Sequence, residues 1–518
     1  MANPLQALRD RMAEYHIDAY LIPTADFHGS EYVGDHFACR RYVSGFTGSA
    51  GTLLVFSPLG GAVDRWALLP PGRGPAPGVR HPPDENGPAR GCHHRGGSSG
   101  PAFSPARPWG LTPVRGCPDG SAVPPADQAA GGQDEPRTGP GGGDLAGPAR
   151  PSPPAGLAAG RRPTAGLSRE EKLRQVRGDL AAQGAEVLLL TTLEDIGWLL
   201  NLRGGDIACT PRGAGLPGPH PGGVPSLCPG GRPFPPEVLA ALEADGVSLR
   251  PYEGIYDYAR RLAQGQTVML DTRRVSTTLL TSIPTGVTLR DRPNPTELRR
   301  AIKNPVEQTN LRQAHLADGI ALTRFMYWVK TQAGAPGLTE LSAADQLEAF
   351  RRADPHYRQP SFDPILAAGD HSAVIHYSPT PASDRPIPAQ GFLLADTGGH
   401  YDTGTTDCTR TYALGELTHQ QKVCYTAVLQ GNLALADAVF PAGCPGSVLD
   451  YAARQPLWAR GLDFNHGTGH GVGYLLSVHE GPQSIRWRAA GGRETPLAPG
   501  MVTSNEPGVY FDGAYGIR

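Results

Sequence analysis

Apolar positions near the start of the chain fall at helical spacing. Leu5, Leu8, Met12 and Tyr15 share one face, which predicts an amphipathic helix over 4–15. Residues 17–22 then form an apolar run closed by Pro23, read as a strand, and 52–56 follows a Gly-rich loop as another. Helix–strand order returns at Ser168, where Ser168 and Glu171 form a capping box. Leu173, Val176 and Leu180 mark a helix face, 186–192 reads as a strand and 193–200 as a helix, so the two regions look like a weak internal repeat. A strand over 267–271 follows, and Pro293 and Pro295 mark a boundary. Asn304 as N-cap, Pro305 at the first helical position and Glu307 in the first turn then open a long helix reaching about Lys330. Further helices are predicted over 343–352, from Thr418 capped with Gln421 to 439, and from Ser447. Helices around strands that carry inward-facing acids describe an α+β domain.

Candidate chemistry concentrates in 376–518. Its landmarks are His376-Tyr377-Ser378-Pro379, Asp396-Thr397-Gly398-Gly399-His400, Thr405-Thr406-Asp407-Cys408, His466-Gly467-Thr468-Gly469-His470-Gly471, Val478-His479-Glu480-Gly481-Pro482 and Asn505-Glu506-Pro507-Gly508. Asp396 and Asp407 stand eleven residues apart, with Gly398, Gly399, Gly404 and two threonines between, a spacing that suits two short strands joined by a turn. Two carboxylates on such strands, joined by one imidazole and a later Glu, make a mostly hard-oxygen site suited to manganese or a similar divalent ion. A pair of ions about 3.5–4 Å apart in such a site activates a water and clamps a tetrahedral intermediate. Taken singly, an Asp is most often a turn cap and a His a surface residue; the ordered set is what points to a metal. The glycines of 467–473 lack the Lys-Ser/Thr ending of a phosphate loop and are read as allowing close backbone approach.

Composition narrows the class. A chain of 518 residues has room for about three domains. A net charge of −2 suggests neither nucleic acid nor an anionic membrane as partner, and no apolar run is long enough to span a bilayer. The first residues lack a basic-then-apolar leader pattern, and eight cysteines at irregular spacing, with no Cys-x-x-Cys, are read as reduced thiols of a cytoplasmic protein. One stretch departs from all this: in 71–165 roughly four residues in ten are Gly or Pro, with no apolar periodicity, which reads as a disordered linker. Cys92-His93-His94 lies inside it, far from Cys117, and is not taken as a metal site.

From about Asn294 onward the order and spacing of these motifs resemble the Xaa-Pro aminopeptidase (aminopeptidase P) family of pita-bread metallopeptidases. The resemblance implies an α+β pita-bread catalytic domain preceded by two related α/β domains of the creatinase N-terminal type. The boundaries are 1–62 for the start of the first, 166–296 for the second and 297–518 for the catalytic domain. It implies hydrolysis of the N-terminal residue from peptides with proline second. Two divalent ions would serve, most often Mn²⁺ with Co²⁺ or Zn²⁺ as options, and the family is usually a homodimer. By the same resemblance, Asp396 binds one metal, Asp407 bridges both and His470 binds the other. Glu506 is both ligand and general base, His376 and His479 hold the scissile carbonyl, and His466 supports them.

Two departures accompany it. The family continues after Gly516-Ile517-Arg518 with Ile-Glu, whose Glu is the fifth ligand, so the sequence as given carries four of five. Where the family has Trp-Thr-Asp-Gly-Arg-Tyr-Phe-Leu-Gln-Ala-Glu, the chain has Val63 to Gly74; suitable synonymous codons read one base later restore the family's text. Residues 212–221 similarly become Val-Val-Leu-Ala-Tyr-Leu-Val-Leu-Thr, an apolar strand. Residues 63–165 and 212–232 are therefore read as out-of-frame text with no packed structure expected. Alternatives are an Xaa-Pro dipeptidase of the same fold, or the inactive product of a damaged gene. The paired N-terminal domains argue against a methionine aminopeptidase, and the Asp–Asp–His–Glu set against a metal-free creatinase.

Overall fold

The computed structural model describes residues 4–34, 37–46, 51–56, 165–204, 235–250, 254–487 and 494–518. At 66–69, 158–159, 216–217, 224–228 and 251 it describes the backbone alone. The chain divides into two units, Met1–Thr24 with Ala38–Pro148, and Ala25–Phe37 with Ala149–Arg518.

In the first unit, helix α1 (Pro4–Glu14) buries Leu8 and Met12 against Ile22 of strand β1 (Ala19–Pro23) and Leu53 and Val55 of β2 (Thr52–Phe56). β1 and β2 pair antiparallel, with Ile22 opposite Leu53, and helix α2 (Cys39–Ser44) packs beside them. Tyr15 is 41% exposed, because the helix ends one residue earlier and the fourth apolar position falls outside the face. The strand begins at Ala19 rather than at residue 17, because the Ile17 amide still bonds the Met12 carbonyl in the turn that leaves the helix.

The expectation that 63–165 and 212–232 hold no structure is corrected at four short strands. Trp66–Leu69 (β3) pairs antiparallel with β2, Ala158–Ala159 with Leu202–Arg203, and Leu216–Pro217 with Val224–Cys228, which also runs parallel to Val247–Pro251. Each lies beside a strand with an open edge, and an edge accepts any extended backbone. The rest of both stretches lies outside the described residues.

In the second unit, α3 (Arg169–Ala182) starts at the expected capping box of Ser168 and Glu171. Its Leu173, Val176 and Leu180 pack on Val187, Leu188, Val268 and Leu270. Of the strand predicted over 186–192, only β4 (Val187–Leu188) joins a ladder, parallel to β5 (Thr267–Leu270), which pairs onward with β6 (Thr288–Asp291). Helix α4 (Leu193–Leu199) follows as predicted. α5 (Pro295–Ala301) leads into the long α6 (Pro305–Gln332), capped by Asn304 and Glu307. α7 (Glu340–Arg352) starts three residues earlier than expected, because Thr339 supplies its cap.

The sheet that positions the site is β8 (Ile365–Ala368), β9 (Gly391–Thr397) and β12 (Cys408–Leu414), all antiparallel. A smaller sheet combines β7 (Tyr357–Pro360), β10 (Gly399–Tyr401) and β11 (Gly404–Thr405). β9 is buried on both faces. Leu393 and Ala395 meet Phe325 of α6 and Leu347 of α7, while Phe392 meets Cys424 and Val428 of α8 (His419–Ala436) and Leu457 of α9 (Gly446–Trp458). The period-2 alternation of a strand therefore puts Asp396 on the Phe392 face and Thr397 on the α6–α7 face. The last elements are β13 (Gly469–Gly471) paired with β14 (Glu480–Ile485), and the hairpin β15 (Val509–Phe511) and β16 (Tyr515–Ile517).

Ion pairs run through the interior of this unit. Arg300 bonds Asp195 at 2.9 Å and meets Glu480 at 2.8 Å, and Lys303 also pairs with Glu480. Lys172, 1% exposed, donates to the Trp198 carbonyl and Asn201 Oδ1 and lies 4.4 Å from the Trp198 ring centre. Burial lowers its pKa to about 7, against the pull of Glu307. The unfolded chain keeps that proton up to about 10.5, so this group makes stability rise as pH climbs from about 7 to about 10.5. Lys172→Met is expected to lose that rise; denaturant unfolding at pH 7 and pH 10 should show a smaller stability gain in the variant, and equal gains would refute the assignment.

Candidate metal centre

Three of the predicted ligands come together. Asp407 sits between β11 and β12, His470 is the middle residue of β13, and Glu506 precedes β15. Their ligand atoms all lie within 4.8 Å of one another. His470 Nε2 stands 3.2 Å from Asp407 Oδ2 and 3.2 Å from Glu506 Oε1. Its Nδ1 faces the Gly471 carbonyl at 2.9 Å, so the ring donates there and turns Nε2 to the carboxylates. Backbone pairing fixes the rest: the Ser504 amide bonds the His470 carbonyl, and the Glu506 amide the Thr468 carbonyl. Glycine is required for that closeness. A Cβ at Gly469 would lie 2.0 Å from the Ser504 carbonyl oxygen, and at Gly471 2.2 Å from that of Glu480, as the reading of 467–473 anticipated.

The charges of the cluster act strongly on one another. Burial opposes a charged His470, yet the hydrogen bonds and charges of Asp407 and Glu506 hold its pKa well above the ordinary imidazole range. Burial also opposes ionised Glu506, but His470 and Arg518 overcome it and bring the carboxyl down to about 2. Protons and a guanidinium supply the positive charge these acids demand. Two carboxylates and an imidazole converging in this way fit a divalent cation by donor type and by charge.

Asp396 is nearby but lies outside the three-residue group. Its Oδ1 accepts from Thr409 Oγ1 at 2.8 Å, and its Oδ2 is taken by the guanidinium of Arg518, whose side chain is 3% exposed. Burial raises its pKa to about 6; Arg518 opposes this, and the negative charges of Asp407 and Glu506 add to it.

The other histidines fall around the cluster. The His479 ring stands edge-on to His470, with centres 4.3 Å apart, and its Nδ1 bonds the Glu31 carboxylate at 2.8 Å. His466 lies between the Gly467 carbonyl and the Tyr510 hydroxyl, 2.8 Å from each. Burial brings it down to about 4, so it stays neutral. His376 is exposed over much of its surface, while its ring is partly withdrawn from water beside the charges of Arg518 and His479, which together lower its pKa.

Glu31, Tyr510 and Arg518 had no role assigned from sequence. Glu31 is 448 residues from His479, and no local pattern marks it. It is held in place by a turn in which Asp26 accepts from the His28 and Ser30 amides, while buried His28 bonds the Thr191 carbonyl.

Fold and site together define a metallopeptidase with creatinase-type N-terminal domains. Residues 309–518 match the model of metallopeptidase family M24, and 4–64 and 148–307 match two models of the creatinase/prolidase N-terminal domain. The chain is 35% identical to a probable Xaa-Pro aminopeptidase P of Sclerotinia sclerotiorum over 527 residues, covering 99% of this chain and 85% of that protein. It is 33% identical to aminopeptidase P2 of Arabidopsis thaliana, covering 97% and 75%. The X-prolyl aminopeptidase of Caenorhabditis elegans, described as a cytosolic enzyme with a di-nuclear active site, superposes with a TM-score of 0.78 at 26% identity, covering 100% and 87%. This chain belongs to the Xaa-Pro aminopeptidase P family. A dipeptidase of Mycobacterium ulcerans is a more distant likeness, with a TM-score of 0.54 over 68% of this chain.

Gly469→Ala forces β13 away from residues 504–506. It is expected to cost about 1–3 kcal/mol of stability by overpacking and to weaken Mn²⁺ binding. Thermal unfolding and calorimetric titration measure the two, and parent-like values in both would contradict the close approach.

Proposed function

We propose that this chain is a metal-dependent aminopeptidase that removes the N-terminal residue from peptides with proline in second position. The observation that carries the proposal is the convergence of Asp407, His470 and Glu506 on one point. Asp407, His470, Glu506 and Asp396 would hold two divalent ions, Mn²⁺ first among them. Bound ions supply a polarised scissile carbonyl and a water of lowered pKa.

The remaining work belongs to the side chains. Glu506 would accept a proton from the attacking water. His479, held through Nδ1 by Glu31, and His376 would line the substrate side of the cluster and help hold the scissile carbonyl. His466, neutral and bonded to Tyr510, supports that face. Proline preference rests on family membership. We further propose a cytoplasmic homodimer. Among the described residues no helix is long and apolar enough to cross a membrane.

The test is turnover of an Xaa-Pro-peptide by the chain with added Mn²⁺, against the same peptide with alanine second and against the Xaa-Pro dipeptide. Cleavage of the first alone is expected. Preference for the dipeptide would favour a dipeptidase, and absence of both turnover and bound metal would favour an inactive product. Asp407→Ala is expected to lower kcat/KM by about 100-fold or more, since even residues behind metal ligands are worth about 10–100-fold. Parent-like turnover in this variant would refute the ligand assignment.

A further inference from the structure

The turn that joins Asp396 to Asp407 is tied from behind to one buried ion pair. Asp318 lies midway along α6 and Arg351 in the last turn of α7, and they are 0% and 2% exposed. Arg351 Nε donates to Asp318 Oδ1 at 2.7 Å, and Nη2 to Oδ2 at 3.2 Å. The same guanidinium donates to Thr397 Oγ1 at 3.0 Å and to the Gly398 carbonyl at 3.2 Å. Asp318 also accepts from the Tyr401 hydroxyl at 3.0 Å and from Thr406 Oγ1 at 2.9 Å. Thr406 Oγ1 in turn accepts from the Gly399 amide at 2.9 Å. Thr397 follows Asp396 directly and Thr406 directly precedes Asp407, so the pair is bonded to the neighbour of each aspartate.

The corner is tightly packed as well as hydrogen-bonded. A Cβ at Gly398 would lie 2.1 Å from the Thr406 carbonyl oxygen and 2.2 Å from Ser361 Oγ. Ser361 closes the corner by donating its hydroxyl to that carbonyl at 2.8 Å. A buried ion pair is a poor way to gain stability, because well-packed apolar residues serve as well or better. What it adds is direction. The planar guanidinium fixes the end of β9 at Thr397 and Gly398 while its partner Asp318 takes the Tyr401 and Thr406 hydroxyls, through bonds that apolar packing does not make.

We propose that Asp318 and Arg351 are positioning residues for the metal ligands, holding the β10–β11 segment between β9 and β12 so that Asp396 and Asp407 present their carboxylates at a fixed separation. The proposal rests on the metal-binding reading above. Neither residue touches substrate; both act through the backbone and hydroxyls of Thr397, Gly398 and Thr406. Displaced ligands bind metal more weakly even when the fold survives, and loss of such outer partners typically costs about 10–100-fold in affinity.

The experiment uses the full chain and Mn²⁺ alone as probe, with calorimetric titration of the metal-free protein and its thermal unfolding measured together. Thr406→Val keeps the shape and deletes the hydroxyl that joins Asp318 to the turn; Mn²⁺ affinity is expected to fall about 10–100-fold. Thr406→Ser restores the hydroxyl and is expected to bind close to the parent value. Arg351→Lys keeps the charge but loses the fork and is expected to bind as weakly as Thr406→Val. A parent-like affinity in Thr406→Val, with only its unfolding temperature lowered, would overturn the proposal, as would a Thr406→Ser variant as weak as the Val one. A parent chain that binds no Mn²⁺ would overturn the metal reading itself, and this inference with it.

Discussion

Mutual repulsion among Asp396, Asp407 and Glu506 is the constraint to which the catalytic domain is built. Three carboxylates arriving from separate segments of the chain cannot share a buried space without positive charge between them. The structure answers with Arg518 on Asp396 and a strongly basic His470 between the other two. That repulsion would push the segments carrying the acids apart, and contacts from outside the cluster hold their backbone in place.

Buried ion pairs recur as that outer hold. Asp318 and Arg351 stand behind the aspartates. Arg454 pairs with Asp450 and reaches the His466 carbonyl, while Asp450 takes the Thr468 hydroxyl two residues from His470. Glu480, adjacent to His479, is fixed by Lys303 and Arg300. Each pair meets the chain within two residues of a site side chain. Breaking one would leave an unpaired buried charge, at about 3–5 kcal/mol, so these contacts are costly to lose even if apolar packing could have filled the same space.

Local features of this architecture were legible in the sequence and distant ones were not. The helices at Ser168, Asn304 and Thr418 begin where their caps stand, because a cap and its partner lie three residues apart. The order of Asp396, Asp407, His470 and Glu506 was readable because each sits in its own Gly- or Thr-rich motif. Asp318 and Arg351 look like ordinary helix charges until α6 and α7 are packed on β9. The turn of Asp396 toward Arg518 and the reach of Glu31 to His479 depend on folding segments that share no pattern. The strand expected over 186–192 is shorter than its apolar run: the Glu186 and Leu189 amides still bond the Thr267 and Met269 carbonyls, but Leu190 is buried without continuing the ladder, because burial alone does not extend strand pairing.

The bond between Glu31 and His479 also has a place in time. A ribosome adding about 5–20 residues per second separates the emergence of these two by roughly 20–90 seconds. The segment 25–37 is made with the first of the chain but is assigned to the unit completed by the last of it. Until His479 emerges, Glu31 has no imidazole to orient, and this contact beside His470 stays unmade through most of translation.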